Sequence, residues 1–341
     1  MVSTLKSVAK GAAVQITARA APWVWRVRRP GSLVILAYHR VLPPDSPLRE
    51  REQPSMCVTP DRFDRQLGEL RRHFEIVDLA EWLARSRRGN PLPRRACALT
   101  FDDGWRDNYE YALPLLVKHG APATVFLVAD HLGASYPFWP NRLMLLLRLA
   151  HTRPDAVGFP ERLHAIVQPV LAAAAARGTL TTDDIDRAVQ RAKALDELTI
   201  RDLVGATTAP FDEPSAGPDL LDREEIRRMA ATGLVRFGSH TATHFRLGGD
   251  PPAAVLEREI VGSRRTLQAL TGQAIELFCY PNGELSTAAT DCVRTHYLGA
   301  VSTRGGWVPA RPDPHLLPRI GIHDGATHTR AGFVATLSGW I

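Results

Sequence analysis

The chain has 341 residues, 45% apolar and 23% charged, a balance that excludes a disordered chain and suits one large domain or two small ones. The formal net charge is +6, but residues 1–44 hold seven basic side chains and no acid, so the rest of the chain is nearly neutral. A nucleic-acid-binding fold would carry its basic face within the body, so no nucleic-acid partner is expected.

The first predicted element is the basic stretch 1–30. It has no uninterrupted apolar segment and no clean cleavage site, unlike a secretory signal, and no run reaches the roughly 18 to 20 apolar residues that span a bilayer. Leu5, Val8, Ala12, Ile16 and Ala20 could share one face of a helix, followed by Trp23, Trp25 and a run of arginines. Two readings stand: an interfacial helix lying on an anionic membrane, or a basic leader that frays or packs on the domain. The expected location is cytoplasmic, peripheral at the inner membrane face. Four cysteines with no C-x-x-C spacing need no disulfide framework, which suits a reducing compartment.

Residues 31–341 read as one α/β domain. Seven apolar runs are predicted strands: 33–38, 97–101, 123–129, 235–239, 277–280, 298–302 and 319–322. Most are continuous rather than alternating, as in parallel strands covered on both faces. Helical patterns lie between most of them, including 59–74 with Thr59 as N-cap and Pro60 in the first turn, 108–120, 253–272 and 286–299. This alternation predicts a barrel or a doubly wound sheet. The stretch 137–219 breaks the rhythm with several helical patterns and a Pro-rich loop. It reads as a helical insertion, either a lid or interaction surface or a passive elaboration.

Polar residues gather just past the strand ends: His39, Asp102 and Asp103, His240 and His244, Pro281 and Asn282, His323. In a parallel barrel these ends open on one face. In "SHTATH", 239–244, a helical turn would project His240 and His244 from one side, able to chelate a single ion. Asp103 would complete a His-His-Asp set with a position left open for water, as a hydrolytic metal requires. The adjacent carboxylates then divide their work: one binds the cation and the other takes the proton of the attacking water.

"TFDDG", "SHTATH" and "YPNG", with "LAYHRV" and "LPRIGIHD" at the two ends, resemble the motifs of the NodB-homology polysaccharide deacetylases, carbohydrate esterase family four. The resemblance covers roughly 33–325 and implies a distorted (β/α) barrel, seven-stranded in agreement with the strand count. It implies Asp102 as catalytic base and Asp103, His240 and His244 as ligands of a divalent metal, zinc first, with Co2+, Mn2+ or Ni2+ accepted. It further implies an N-acetylated glycan as substrate, deacetylated by metal-activated water, and the basic N-terminal stretch adds a lipid-linked sugar as a candidate substrate. Two departures stand out. The family's third motif usually reads Arg-x-Pro-Tyr-Gly, and here Cys279 and Asn282 replace the arginine and tyrosine. Asn282 can still offer its backbone N–H to an oxyanion, beside Pro281 and Tyr280, whereas a cysteine cannot orient the aspartate as an arginine does. Arg319 is the candidate substitute. His323 is the candidate for the family's proton-donating histidine, and His39 either lines the pocket or braces a loop. Competing readings are a metal-independent relative that hydrolyses ureides and a catalytically inactive glycan-binding module. Oligomeric state is not legible.

Overall fold

In the computed structural model, which describes residues 2–27, 31–135, 138–210, 219–309 and 311–339, seven parallel strands form one continuous path. They are β1 (Ser32–Tyr38), β2 (Arg95–Phe101), β3 (Ala123–Leu127), β4 (Val235–Ser239), β5 (Leu277–Cys279), β6 (Gly299–Val301) and β7 (Ile320–Gly321). Their order is β7-β1-β2-β3-β4-β5-β6, with a short strand, Glu75–Ile76, beside β2. The two ends of the path meet through an isolated parallel bridge, Val301 to Leu317, which makes the barrel distorted. The fold class is that expected from the continuous apolar runs. The strands β1 and β2 are covered on both faces: Val34, Leu36, Tyr38, Cys97, Leu99 and Phe101 belong to one core layer, while Leu33, Ile35, Ala96 and Ala98 belong to another. The second layer also takes Phe126, Leu277, Cys279 and Val301, and is therefore the barrel interior.

Register brings the functional ends level. Tyr38 pairs with Phe101, so His39 and Asp102 follow side by side. Leu127 pairs with Ser239, and the His240 N–H donates to the Leu127 carbonyl at 2.8 Å. Ser239 pairs with Phe278, which sets His240 next to Cys279. Ala37 pairs with Gly321, and His323 arrives two residues later beside His39.

The helices of this unit that bear on function are α1 (Val2–Val27), α2 (Pro60–His73), α3 (Thr287–His296), α4 (Asp324–Thr327) and α5 (Arg330–Ser338). Pro60 opens α2 behind Thr59, whose hydroxyl accepts from the Arg62 N–H. Helix α1 is built into the core rather than standing apart. Ala21 and Trp25 are fully buried, and Trp25 packs on His73 and Phe74 with ring centroids 5.3 and 5.0 Å away. Trp25→Ala should therefore cost about 3–5 kcal/mol in chemical denaturation, the usual loss for a large buried aromatic. On the opposite side of the helix Ile16 and Trp23, seven residues apart, are 69% and 68% exposed. No described helix is long and apolar enough to cross a membrane.

A second compact unit comprises residues 45–53 and 134–219. Its helices Trp139–Thr152, Glu161–Arg177, Thr182–Ala192 and Glu197–Gly205 share a core that includes Leu143, Leu147, Leu163, Val189 and Ile200. The unit thus takes in residues 45–53 as well as the helical stretch read from sequence. The reason is polar: the Asn141 amide donates to Glu52 at 3.0 Å and the Gln53 amide to Asp186 at 2.8 Å.

Candidate metal and catalytic centre

Asp102 and Asp103 are both buried at the end of β2, and backbone conformation separates them. Along β2 the residues at 96 and 98 face the barrel interior, and Asp102 continues that side. Asp103 then turns into the left-handed region at φ 73° and Gly104 follows at φ 75°. A Cβ on Gly104 would stand 2.8 Å from the Leu127 side chain, so only glycine fits this turn. The two carboxylates consequently meet different partners.

Asp102 is held by Arg319. The guanidinium donates twice, Nη1 to Oδ1 and Nη2 to Oδ2, each at 2.7 Å. Its Nε donates to the Ser302 carbonyl at 3.0 Å, Nη1 also reaches the Thr100 hydroxyl at 3.0 Å, and Nη2 lies 3.2 Å from the Cys279 sulfur. Burial alone would raise the pKa of Asp102, but the Arg319 charge and its two hydrogen bonds override burial and hold it at about 2. Thus the position that is Cys279 in the sequence is filled, in space, by a guanidinium arriving from the segment before β7. The small thiol leaves room for it.

Asp103 faces two imidazoles. Its Oδ1 is 3.4 Å from His240 Nε2 and 3.5 Å from His244 Nε2, and its Oδ2 accepts from the Trp105 indole at 2.9 Å. His240 Nδ1 lies 2.8 Å from the Cys279 carbonyl, so Nδ1 donates to it and Nε2 is the nitrogen that faces Asp103. A tetrahedral cation with bonds of about 2.0–2.1 Å keeps its ligand atoms about 3.3 Å apart, close to the separation of Asp103 from each imidazole nitrogen, and the donor atoms of all three residues lie within 4.8 Å of one another. The set fits zinc or a similar divalent metal. A second cluster, Asp102, His240 and Cys279, is also compact, but Arg319 already occupies its carboxylate and touches its sulfur. Burial also pushes the Cys279 thiol up, away from the thiolate that a metal needs. Burial disfavours a charged His240, yet Cys279 and Asp103 outweigh it and keep its pKa above the usual imidazole value. Metal must displace that proton, so zinc affinity should rise about tenfold per pH unit from pH 5 to 7 in a chelator-competition titration.

The expected helical turn between the histidines is not formed. Residues 241–243 make a non-helical turn, with Thr241 at φ 67° and His244 at φ 61°. Glu259 stabilises it, accepting from the Thr243 N–H and hydroxyl at 2.9 Å each. The imidazoles still converge, with centroids 4.9 Å apart. Asp103, Thr241, His244 and Asn282 are the only non-glycine residues with positive φ among those described, and all four lie at these strand ends. Such strain persists where surrounding contacts over-determine the backbone, as at active sites.

His39 Nε2 stands 3.7 Å from Asp102 Oδ2. His323, half-buried, precedes α4 and is close enough to His39 for the charges to interact. Burial lowers its pKa, and His39 adds to that against the opposing pull of Asp324. Pro281 is buried, and Asn282 is exposed at φ 56° in the turn that follows β5. Tyr280 does not join the cluster. Cys279 faces the barrel interior, so the next side chain points outward: Tyr280 is fully buried against Phe278, centroids 5.1 Å apart, with its hydroxyl toward Thr290 of α3. Its expected substrate-facing role is corrected to a core one. Sequence reasoning passed over Trp105, Arg40, Asp107, Thr100 and Ser302. Arg40 stacks over the Trp105 ring at 4.0 Å and donates to Asp107 at 2.8 Å, bracing the indole that holds Asp103. The adjacency of Trp105 to "FDDG" and of Arg40 to His39 was the available signal.

A model of the polysaccharide deacetylase family matches residues 89–300. The poly-beta-1,6-N-acetyl-D-glucosamine N-deacetylase of Staphylococcus epidermidis is 32% identical over 113 residues, 30% of this chain and 38% of that protein. The protein of the same name from Staphylococcus aureus is 32% identical over 84 residues, 24% of this chain and 29% of its own length. The matched stretches therefore span well under half of these relatives. Among solved structures, Streptococcus pyogenes deacetylase PplD in complex with acetate aligns with a TM-score of 0.58 and 19% identity, over 90% of this chain and 99% of that one. IcaB from Ammonifex degensii aligns at 0.56 and 18%, over 90% and 98%. These two likenesses speak for the fold.

Proposed function

The chain belongs to the polysaccharide deacetylase family, and from that premise we propose that it hydrolyses the N-acetyl amide of an amino-sugar-containing glycan or glycolipid. The observation that carries this is the adjacency of two differently committed carboxylates, one forked onto Arg319 and one facing two imidazoles. Asp103, His240 and His244 would hold a divalent metal, zinc first, with Co2+, Mn2+ or Ni2+ as alternatives. Such a metal polarises the amide carbonyl and makes water more acidic. Asp102, kept ionised and oriented by Arg319, accepts the proton of the attacking water. The backbone N–H of Asn282 donates to the oxygen that gains charge, next to Pro281. His323 gives a proton to the departing amine, and His39 lines the mouth beside Asp102. The tight donor spacing favours this reading over a metal-independent ureide hydrolase or an inactive glycan-binding module.

The relatives' names make β-1,6-linked N-acetylglucosamine polymer the first substrate to try. Zinc-loaded protein should release acetate from at least one of β-1,6-linked oligomers, chitooligosaccharides, peptidoglycan fragments or lipid-linked N-acetyl sugars, followed by mass spectrometry. Inactivity on all four by protein carrying one zinc per chain would sink the proposal. Residues 1–30 would add a peripheral membrane contact: Ile16 and Trp23 expose an apolar stripe on an acid-free, basic segment. Ile16→Ser/Trp23→Ser should lower co-sedimentation with phosphatidylglycerol vesicles about tenfold without loss of stability, whereas truncation would also remove the core residue Trp25. Unchanged sedimentation would exclude the contact.

A further inference from the structure

A cavity of about 300 Å3 lies between α2 and the α4–α5 segment, outside the strand-end centre. Arg62, Arg65, Glu69 and Arg72 line it from one face of α2, at spacings of three, four and three residues, and Arg330 faces them from the first turn of α5. The single lining carboxylate is saturated. Glu69 accepts from Arg330 through both oxygens, 3.0 and 2.6 Å, from Arg72 at 3.0 Å, and pairs with His73 at 3.2 Å. Arg62 is paired with Asp324 at 2.8 Å, and Arg65 has no carboxylate partner among the described residues. Four guanidiniums thus surround the cavity against two carboxylates, leaving positive charge uncompensated.

Gly68 is the second observation. It sits within α2 and lines the cavity, where glycine costs a helix about 1 kcal/mol relative to alanine. No atom lies within 4 Å of where its Cβ would be, so packing does not demand the glycine. What the missing side chain provides is open space against the helix backbone, between arginine forks.

We propose that this cavity binds an anion of phosphate chemistry. Planar guanidinium forks match phosphate oxygens in pairs, and Gly68 lets the anion come close to α2. The positive end of α5 adds to the field. The site is independent of the deacetylation reading, because none of its residues belongs to the metal and base cluster. Its phosphate could come from a lipid headgroup or from a free phosphate ion.

Zinc-loaded full-length protein is titrated with inorganic phosphate and followed by 31P NMR line broadening, beside Arg65→Glu and Gly68→Leu. Arg65 is exposed and Gly68 faces open space within a helix, so Arg65→Glu should melt like the wild type and Gly68→Leu at or above it. Each should weaken phosphate binding at least tenfold. A parallel arm measures retention on phosphatidylglycerol and phosphatidylcholine vesicles in the Ile16→Ser/Trp23→Ser background. Arg65-dependent retention on the anionic vesicles alone identifies a lipid headgroup, and its absence with phosphate binding intact identifies the free ion. Phosphate held at the metal would be indifferent to both substitutions. Equal affinity in wild type and both variants, or no binding in either arm, overturns the proposal.

Discussion

Arg319→Met is expected to lower kcat/KM about a hundredfold while leaving zinc stoichiometry unchanged. Arg319 touches Asp102 through both carboxylate oxygens and touches no metal-facing donor atom, so its loss should disturb the base and spare the metal. Asp102 is buried, and without the guanidinium it becomes an uncompensated charge, costing about 3–5 kcal/mol or taking up a proton. The sign of the pH effect follows. Asp102's pKa is depressed in the folded protein, so the pair stabilises above the ordinary carboxylate pKa, and that contribution fades as pH falls toward about 2. In Arg319→Met this acid-side loss should vanish, and the acid limb of the rate profile should move to higher pH. Arg319→Lys keeps the charge but not the fork and should fall between the two. Adding Cys279→Arg to Arg319→Met returns a guanidinium from the end of β5 toward Asp102, and should recover at least tenfold of the loss. A wild-type kcat/KM in Arg319→Met, assayed well below its melting temperature, would show that Asp102 needs no such partner.

The sheet was legible because parallel strands buried on both faces read as continuous apolar runs, and the polar residue after each run marked one end of the barrel. Register then aligned those ends, which no local pattern contains: that Asp102 and His39 are neighbours follows from Tyr38 pairing with Phe101. The helical turn expected between His240 and His244 failed because i, i+4 spacing does not specify a helix. Here Thr241 turns left-handed and Glu259, fifteen residues beyond His244, supplies the bonds that hold the turn. Tyr280 could have been placed by strand parity, since a strand that turns Cys279 inward turns the next residue outward. Helix α1 could not. Trp23 and Trp25 look alike in sequence, and it takes His73 and Phe74, distant along the chain, to show which one is covered.

The sharpest division lies within the aspartate pair itself. Asp102→Asn should reduce kcat roughly a hundred- to ten-thousandfold, the range for loss of a general base, and retain one zinc per chain. The amide keeps the shape of the carboxylate and one acceptor for Arg319, so the fold should survive with a lower melting temperature. Asp103→Asn should instead lose zinc on dialysis, because the removed charge is one of three donors and no described carboxylate other than Asp102 stands by to replace it. Its activity should return in part with excess metal, whereas that of Asp102→Asn should not. Cys279→Ser separates the two overlapping clusters: a sulfur that only touches Arg319 can become an oxygen with zinc retained, whereas a ligating sulfur cannot. Zinc lost from Asp102→Asn and Cys279→Ser but kept by Asp103→Asn would move the metal to the Asp102, His240 and Cys279 cluster. It would also exchange the roles of the two carboxylates. The structure argues against that exchange on electrostatic grounds: Arg319 already donates to both Asp102 oxygens, and a dication bonded to the same buried carboxylate would be held close to the guanidinium and repelled by it.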